Sequence, residues 1–261
     1  MKTARGVTSI AEELPLDLAD ALDDPFRDAV AGLDVEALTR RYHEDDGLIL
    51  LEDFIPPAQR EAMAREVHAL LPVARRTHVL LVRKAEAVCH FDIVERAPTL
   101  RALQRSPSLR ALFRRVTGHD LEYRDEGDPH ASGLYVYNRR GDHVGWHYDD
   151  CGCAPDASFT VIAGVIDDST SRLEVELHRK TPGRTPERRS ITTRPGTFAF
   201  FRGSSVYHRV TPLGAGQERV TFSFVYVRKG FQPQGWDRLW QSTIDTFLYF
   251  GRKGVPRRNR P

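Results

Sequence analysis

A mainly β protein with α/β elements at its N-terminal end is what the sequence predicts. Three observations carry the prediction. From about residue 120 the hydrophobic pattern has period 2, in short runs rich in β-branched and aromatic residues. Those runs are separated by Gly, Pro, Asp and Asn, which turns favour because they supply or tolerate turn dihedrals. Before residue 120 several stretches instead have apolar residues at helical spacing. A length of 261 residues suits one catalytic-size domain with extensions. Its parts are a support region over 1–119, a β core over 120–230, and a C-terminal helix with a basic tail over 231–261.

The elements follow in order. The opening MKTARGVTSIAEELPLDLADALDDPF has no apolar core, so no secretory signal is expected. LDVEALTRRYHEDDG reads as a helix stopped by Gly47, and LILLEDFI (48–55) as a strand with a turn after it. Pro56 and Pro57 open a helix over AQREAMAREVHALLP, since the N–H that proline lacks would have no helical partner there. SPSLRALFRRVTG is a further helix, with Ser106 as cap, Pro107 in the first turn and Gly118 at the end. Then come SGLYVYN, HVGWHYD, FTVIAGVI, RLEVELH, RSITTR, GTFAFF, SVYHRV and RVTFSFVYV, a strand series at barrel or sandwich spacing. GWDRLWQSTIDTFLYF reads as a helix after the last strand.

Composition narrows the function classes. With 40% hydrophobic and 28% charged residues the chain is ordinary globular material, not a disordered one. No apolar run approaches the roughly 18–20 residues that cross a bilayer, so no membrane partner is expected. Basic and acidic residues nearly balance, 38 against 36, which gives no reason to expect a nucleic-acid partner. The tail residues Arg252, Lys253, Arg257, Arg258 and Arg260 read as a solvated end; without them the net charge of +2 becomes −3. Three cysteines are too few for a disulfide framework, and a reducing cytoplasm fits.

The chemistry concentrates in Gly145-Trp146-His147-Tyr148-Asp149. Side chains alternate faces along a strand, so His147 and Asp149 project to one side and offer a divalent metal an imidazole and a carboxylate. His208, on a later strand, is a candidate third ligand. Two His and one carboxylate leave positions open, the arrangement that suits non-haem Fe(II) and oxygen chemistry. Arg219 follows His208 by eleven residues. Pointing inward, it would be a costly buried charge unless it met an anion, and its guanidinium suits a carboxylate. Thr221 faces the same side and can add a hydroxyl.

This set resembles the Fe(II)/2-oxoglutarate-dependent dioxygenases: His-x-Asp, a gap of 59 residues from Asp149 to His208, then Arg219. The resemblance implies a double-stranded β-helix (jelly roll) buttressed by helices. It implies that His147, Asp149 and His208 hold Fe(II), that Arg219 pairs with the distal carboxylate of 2-oxoglutarate, and that O2 is consumed. Tyr137, and after it Tyr135, are cosubstrate candidates by position, with a structural barrel tyrosine as the other reading of each. GLILLEDFIPPAQREAMAREV is similar to an early strand–turn–helix of the superfamily. The size, YNRRGDHVGWHYDD and the Trp-containing terminal helix resemble a small bacterial branch acting on free amino acids or similar metabolites. In that family's radical halogenases the carboxylate position is Gly or Ala, so Asp149 implies hydroxylation of a C–H bond and not halogenation.

Asp150, His143, Arg202 and Trp240 are substrate candidates, each against a bland reading as turn, surface or packing residue. The other histidines read as structural or surface. Cys151 and Cys153 read as loop thiols, because structural zinc wants C-x₂₋₄-C spacing and four ligands. Two alternative functions stand beside the hydroxylase. A cupin-like metal-binding barrel would leave Arg219 without a task. The same oxygen chemistry on a protein or nucleic acid would call for a basic groove.

Overall fold

The computed structural model describes residues 25–79, 82–149 and 156–231. Helices α1 (25–31), α2 (Val35–Glu44), α3 (Pro57–Leu70), α4 (His90–Arg96), α5 (Pro98–Arg105) and α6 (Pro107–Thr117) all precede the main β region. The strands are β1 (Leu48–Leu51), β2 (Arg75–Val79), β3 (Arg83–Cys89), β4 (Leu121–Tyr123), β5 (Ser132–Tyr137) and β6 (His143–His147). They continue with β7 (Ser158–Asp168), β8 (Leu173–Leu177), β9 (Glu187–Ile191), β10 (Phe198–Arg202), β11 (Tyr207–Val210) and β12 (Glu218–Arg228).

Two antiparallel layers form the expected jelly roll. One runs β1-β10-β7-β12-β5-β3, with β2 beyond β3 and β4 on the end of β12; the other runs β6-β11-β8-β9. β3 joins them: Glu86–Cys89 pair with β5, while Arg83 and Lys84 pair with β6. Alternation along the strands separates the two faces of the larger layer. On β10, Phe198 and Phe200 pack in the core beneath the helices, and Ala199 and Phe201 in a second core facing β8 and β9. On β12, Val220, Phe222, Phe224 and Tyr226 take the helix side. That leaves Arg219 and Thr221 for the barrel interior. Phe113 of α6 stacks on Phe200 with ring centroids 3.9 Å apart. Burying each such ring contributes about 1.5–3 kcal/mol.

Helix ends follow their local chemistry. Asp34 and Ser106 side chains accept hydrogen bonds from the Ala37 and Leu109 amides, and α6 stops at left-handed Gly118. α5 has no cap of its own; Glu66 on α3 accepts from the amides of Thr99 (2.8 Å) and Leu100 (3.0 Å). The strand expected over 48–55 is shorter, ending at Leu51, because a turn begins there and Asp53 takes φ 50°. The hairpin β2–β3, the short strand β4 and helices α1, α4 and α5 are additions to the sequence reading. No described helix is long and apolar enough to cross a membrane.

Two local devices bear on the site. Asp142 is fully buried at the β5–β6 turn, where it accepts from the Asn138 amide (3.1 Å), the Arg139 amide (3.0 Å) and Arg76. This ties down the chain that leads into β6. Gly164 on β7 lies directly under the segment before β10. A Cβ there would overlap the carbonyl oxygens of Thr193 and Arg194, so only glycine admits that crossing.

Candidate metal centre

His147 closes β6 and His208 lies on β11, and the two are direct partners in the antiparallel register. Their ring centroids are 4.1 Å apart. Each Nδ1 faces a backbone carbonyl, that of Gly145 at 2.9 Å and that of Val206 at 3.1 Å. A carbonyl can only accept, so Nδ1 carries the hydrogen and a neutral ring presents the Nε2 lone pair. Asp149 lies two residues past the end of β6, yet its Oδ1 sits 3.3 Å from His147 Nε2 and 3.7 Å from His208 Nε2. One ligand atom from each of the three residues falls within 4.8 Å of the other two. Two imidazole nitrogens and a carboxylate oxygen converging this way fit a divalent non-haem iron.

The electrostatics agree with a cation site. Burial would raise the Asp149 pKa, but the two imidazoles and the Thr160 hydroxyl hold it well below the carboxylate range. Thr160 Oγ1 donates to Asp149 Oδ2 at 2.7 Å. Burial, acting against the Asp149 carboxylate, lowers His208 to about 4, which keeps that ring neutral and able to coordinate near pH 7. Burial also opposes charge on His147, where the Asp149 carboxylate prevails and raises the pKa.

Arg219 is completely buried. Its Nε donates to Thr193 Oγ1 at 2.9 Å and its guanidinium carbon lies 5.1 Å from the centre of the Tyr137 ring. Nη1 is buried without a hydrogen-bond partner among the described residues. A buried guanidinium nitrogen left unpaired is costly, and a carboxylate would satisfy it. Tyr137 and Tyr135 stand opposite Arg219 and Thr221 in the β5–β12 register, so the four share one wall. Tyr137 packs with Val144 of β6 and Val210 of β11, which connects that wall to the strands bearing the histidines.

The remaining sequence candidates divide. His143 lies four residues before His147 on β6, roughly 13 Å along the strand, and its Nδ1 bonds the Gly141 carbonyl at 2.9 Å. Arg202 falls on the helix side of β10. It donates to Asp156 Oδ1 at 3.1 Å and Asp46 Oδ1 at 3.3 Å, while its neighbour Phe201 meets the His208 ring at 4.8 Å. Neither is brought to the triad. Asp150, Trp240, Cys151, Cys153, the C-terminal helix and the basic tail lie outside the described residues.

Three interior residues escaped the sequence reading. Thr160 and Thr193 carry no motif, since threonine is ordinary strand material. Arg83 is 2% exposed on β3, with its guanidinium 4.5 Å from the centre of the Tyr135 ring. Its signal was the alternation Arg83, Ala85, Ala87, Cys89, a cation on a face of small buried residues. A cleft of about 740 Å³ runs elsewhere, along the outer edge of β1 beside α1 and α2, and no triad residue lines it.

A family model described as HalD: Halogenase D matches residues 31–164, just over half of the chain. The match takes in His147, Asp149 and Thr160 and ends before His208. Among solved structures, the non-haem alpha ketoglutarate dependent epimerase SnoN from nogalamycin biosynthesis is similar at 16% identity and TM-score 0.62, over 77% of this chain and 84% of its own. SnoN has also been solved with Fe3+, alpha ketoglutarate and nogalamycin RO. The carbocyclase SnoK from the same biosynthesis gives 14% identity and TM-score 0.63, over 81% and 91%. A Pseudomonas putida prolyl-4-hydroxylase gives 16% and 0.58, over 75% and 100%. At these identities the likeness is one of fold. No curated protein sequence matches the chain.

Proposed function

The chain belongs to the Halogenase D family, and from that premise and the triad we propose an Fe(II)/2-oxoglutarate-dependent oxygenase that hydroxylates a C–H bond of a small molecule. The observation that carries the reading is the Asp149 carboxylate set against both imidazoles. It supplies the third protein ligand and part of the charge that Fe(II) needs, so the halogenase in the family name does not transfer to this chain's reaction.

His147, Asp149 and His208 would hold the metal by Nε2, Oδ1 and Nε2. Bound iron with 2-oxoglutarate would supply the activation of O2 and the oxidising power that opens an unactivated C–H bond, with release of succinate and CO2. Arg219 would take the distal carboxylate of 2-oxoglutarate through Nη1, held in place by Thr193 and flanked by Tyr137. Thr221 adds a hydroxyl on the same wall, and buried apolar neighbours keep water away. Arg83 is buried beside the Tyr135 ring on β3. The likeness of the sequence to the small bacterial branch supports a free amino acid or similar metabolite as the substrate class. The epimerase and carbocyclase among the similar structures make other outcomes of hydrogen abstraction the second reading. The three cysteines, too few for a disulfide framework, support a cytoplasmic enzyme, and the balanced charge supports a small-molecule partner over a nucleic acid.

Anaerobic loading with Fe(II) and 2-oxoglutarate tests the proposal. A weak visible charge-transfer band is expected, followed by substrate-stimulated succinate release when air is admitted with a panel of amino acids. Absence of the band, with metal affinity unchanged in His208→Ala, defeats the metal assignment. A band without succinate favours the cupin-like alternative.

A further inference from the structure

We propose that Thr160 is a positioning residue for the carboxylate ligand: it holds one oxygen of Asp149 so that the other alone faces the metal. The inference rests on the metal reading above. Thr160 is 3% exposed on β7, in the layer opposite the strands that carry His147 and His208. Its hydroxyl donates to Oδ2 of Asp149 at 2.7 Å, while Oδ1 is the oxygen turned to the two Nε2 atoms. The bond therefore ties the two layers together at the ligand itself. Asp149 needs such a tie because it lies beyond β6, outside the ladder that orients the histidines. Its backbone is held from behind as well. Ser158 Oγ reaches the Asp149 carbonyl at 3.5 Å, and a Cβ on Gly203 would come within 2.8 Å of that oxygen and 3.1 Å of the Asp149 Cβ. A threonine hydroxyl donates one hydrogen, and that hydrogen is committed to Oδ2.

Two consequences follow for the site. A carboxylate restrained to one donor oxygen takes one coordination position, which preserves the open positions of a two-His, one-carboxylate site. Losing the hydroxyl removes the bond that orients the carboxylate and lets it turn away from the position that aims Oδ1 at the two imidazoles. Such losses weaken metal affinity by about 10–100-fold.

The test compares Fe(II) binding by anaerobic chelator competition in the full chain as wild type, Thr160→Val, Thr160→Ser and His208→Ala. It also records the rise in melting temperature that Fe(II) produces in each, since a ligand bound only by the native state stabilises it. Thr160→Val should lose about 10–100-fold in affinity and most of the Fe(II)-dependent rise. Thr160→Ser, which keeps the donor, should stay close to wild type. A Thr160→Val protein that melts lower without metal but binds Fe(II) as tightly as wild type would make Thr160 merely structural and overturn the inference. So would equal weakening in the Ser and Val variants. Wild-type affinity in His208→Ala removes the metal reading and this inference with it; weakening there with none in Thr160→Val removes this inference alone.

Discussion

Arg219 is a cation that folding has placed out of water with one nitrogen of its fork still to be paired, and burial lowers its pKa accordingly. Asp167 stands opposite it in the β7–β12 register, and its Oδ1 accepts from the Ser169 hydroxyl at 2.6 Å. The Asp167 carboxylate still acts on the guanidinium through space, and its own Oδ2 is likewise buried without a hydrogen-bond partner among the described residues. Arg219→Ala should weaken 2-oxoglutarate by about 2–5 kcal/mol, because the loss removes a charge-assisted contact and strands a buried carboxylate. Fe(II) affinity should change little, since Arg219 is not among the ligating atoms. Parallel titrations of cosubstrate and metal check this, and equal loss of both would take Arg219 out of the cosubstrate site. A pair of residues legible in sequence, His147 and Asp149, thereby gains its meaning from a third and fourth that alternation brings to the same interior.

At the scale of elements, Gly164 shows how a backbone position reaches the chemistry. Its missing side chain lets the segment before β10 lie on β7, and that segment delivers Thr193 to Arg219 Nε. Gly164→Ala should destabilise the fold by about 1–3 kcal/mol through overpacking against backbone. It should also weaken 2-oxoglutarate binding more than Fe(II) binding as Thr193 is displaced. Urea unfolding and cosubstrate titration of the variant measure the two effects, and a variant with wild-type values in both would remove the crossing as a constraint. Most strands after residue 120 were legible because they turn apolar side chains to the core at every second position, as Phe198 and Phe200 do, while the three-residue β4 was not. Nor was the hairpin β2–β3. Its inner face reads Arg83, Ala85, Ala87, Cys89, where a charge and small side chains replace the bulky residues that announce a buried strand. α4 and α5 are short, and α5 takes its cap from Glu66, far away in sequence, so Pro98 in its first turn is a start signal without a local capping residue. YNRRGD stood out as a phrase, and Asp142 within it serves the turn that aims β6.

Across the whole molecule, two layers meet around the metal ligands, and both contribute to holding them. The wild-type protein should give oxygenated product even in high chloride, because a tethered carboxylate at high effective concentration outcompetes the halide for its position. Mass spectrometry of product made in concentrated chloride checks this, and a dominant chlorinated species would sink Asp149 as a ligand. Asp149→Gly should bind Fe(II) more weakly and lose most hydroxylation. Its melting temperature without metal should fall, since the substitution also removes the Thr160–Asp149 bond between the layers. The two histidines are in a different position. They are rungs of one ladder, His147 paired with His208, so their spacing is set by the same hydrogen bonds that hold β6 to β11. The triad is thereby divided into a rack of two histidines fixed by one ladder and an arm, Asp149, that reaches in from the loop after β6. A change to the arm alters one side chain on a loop and leaves the rack standing.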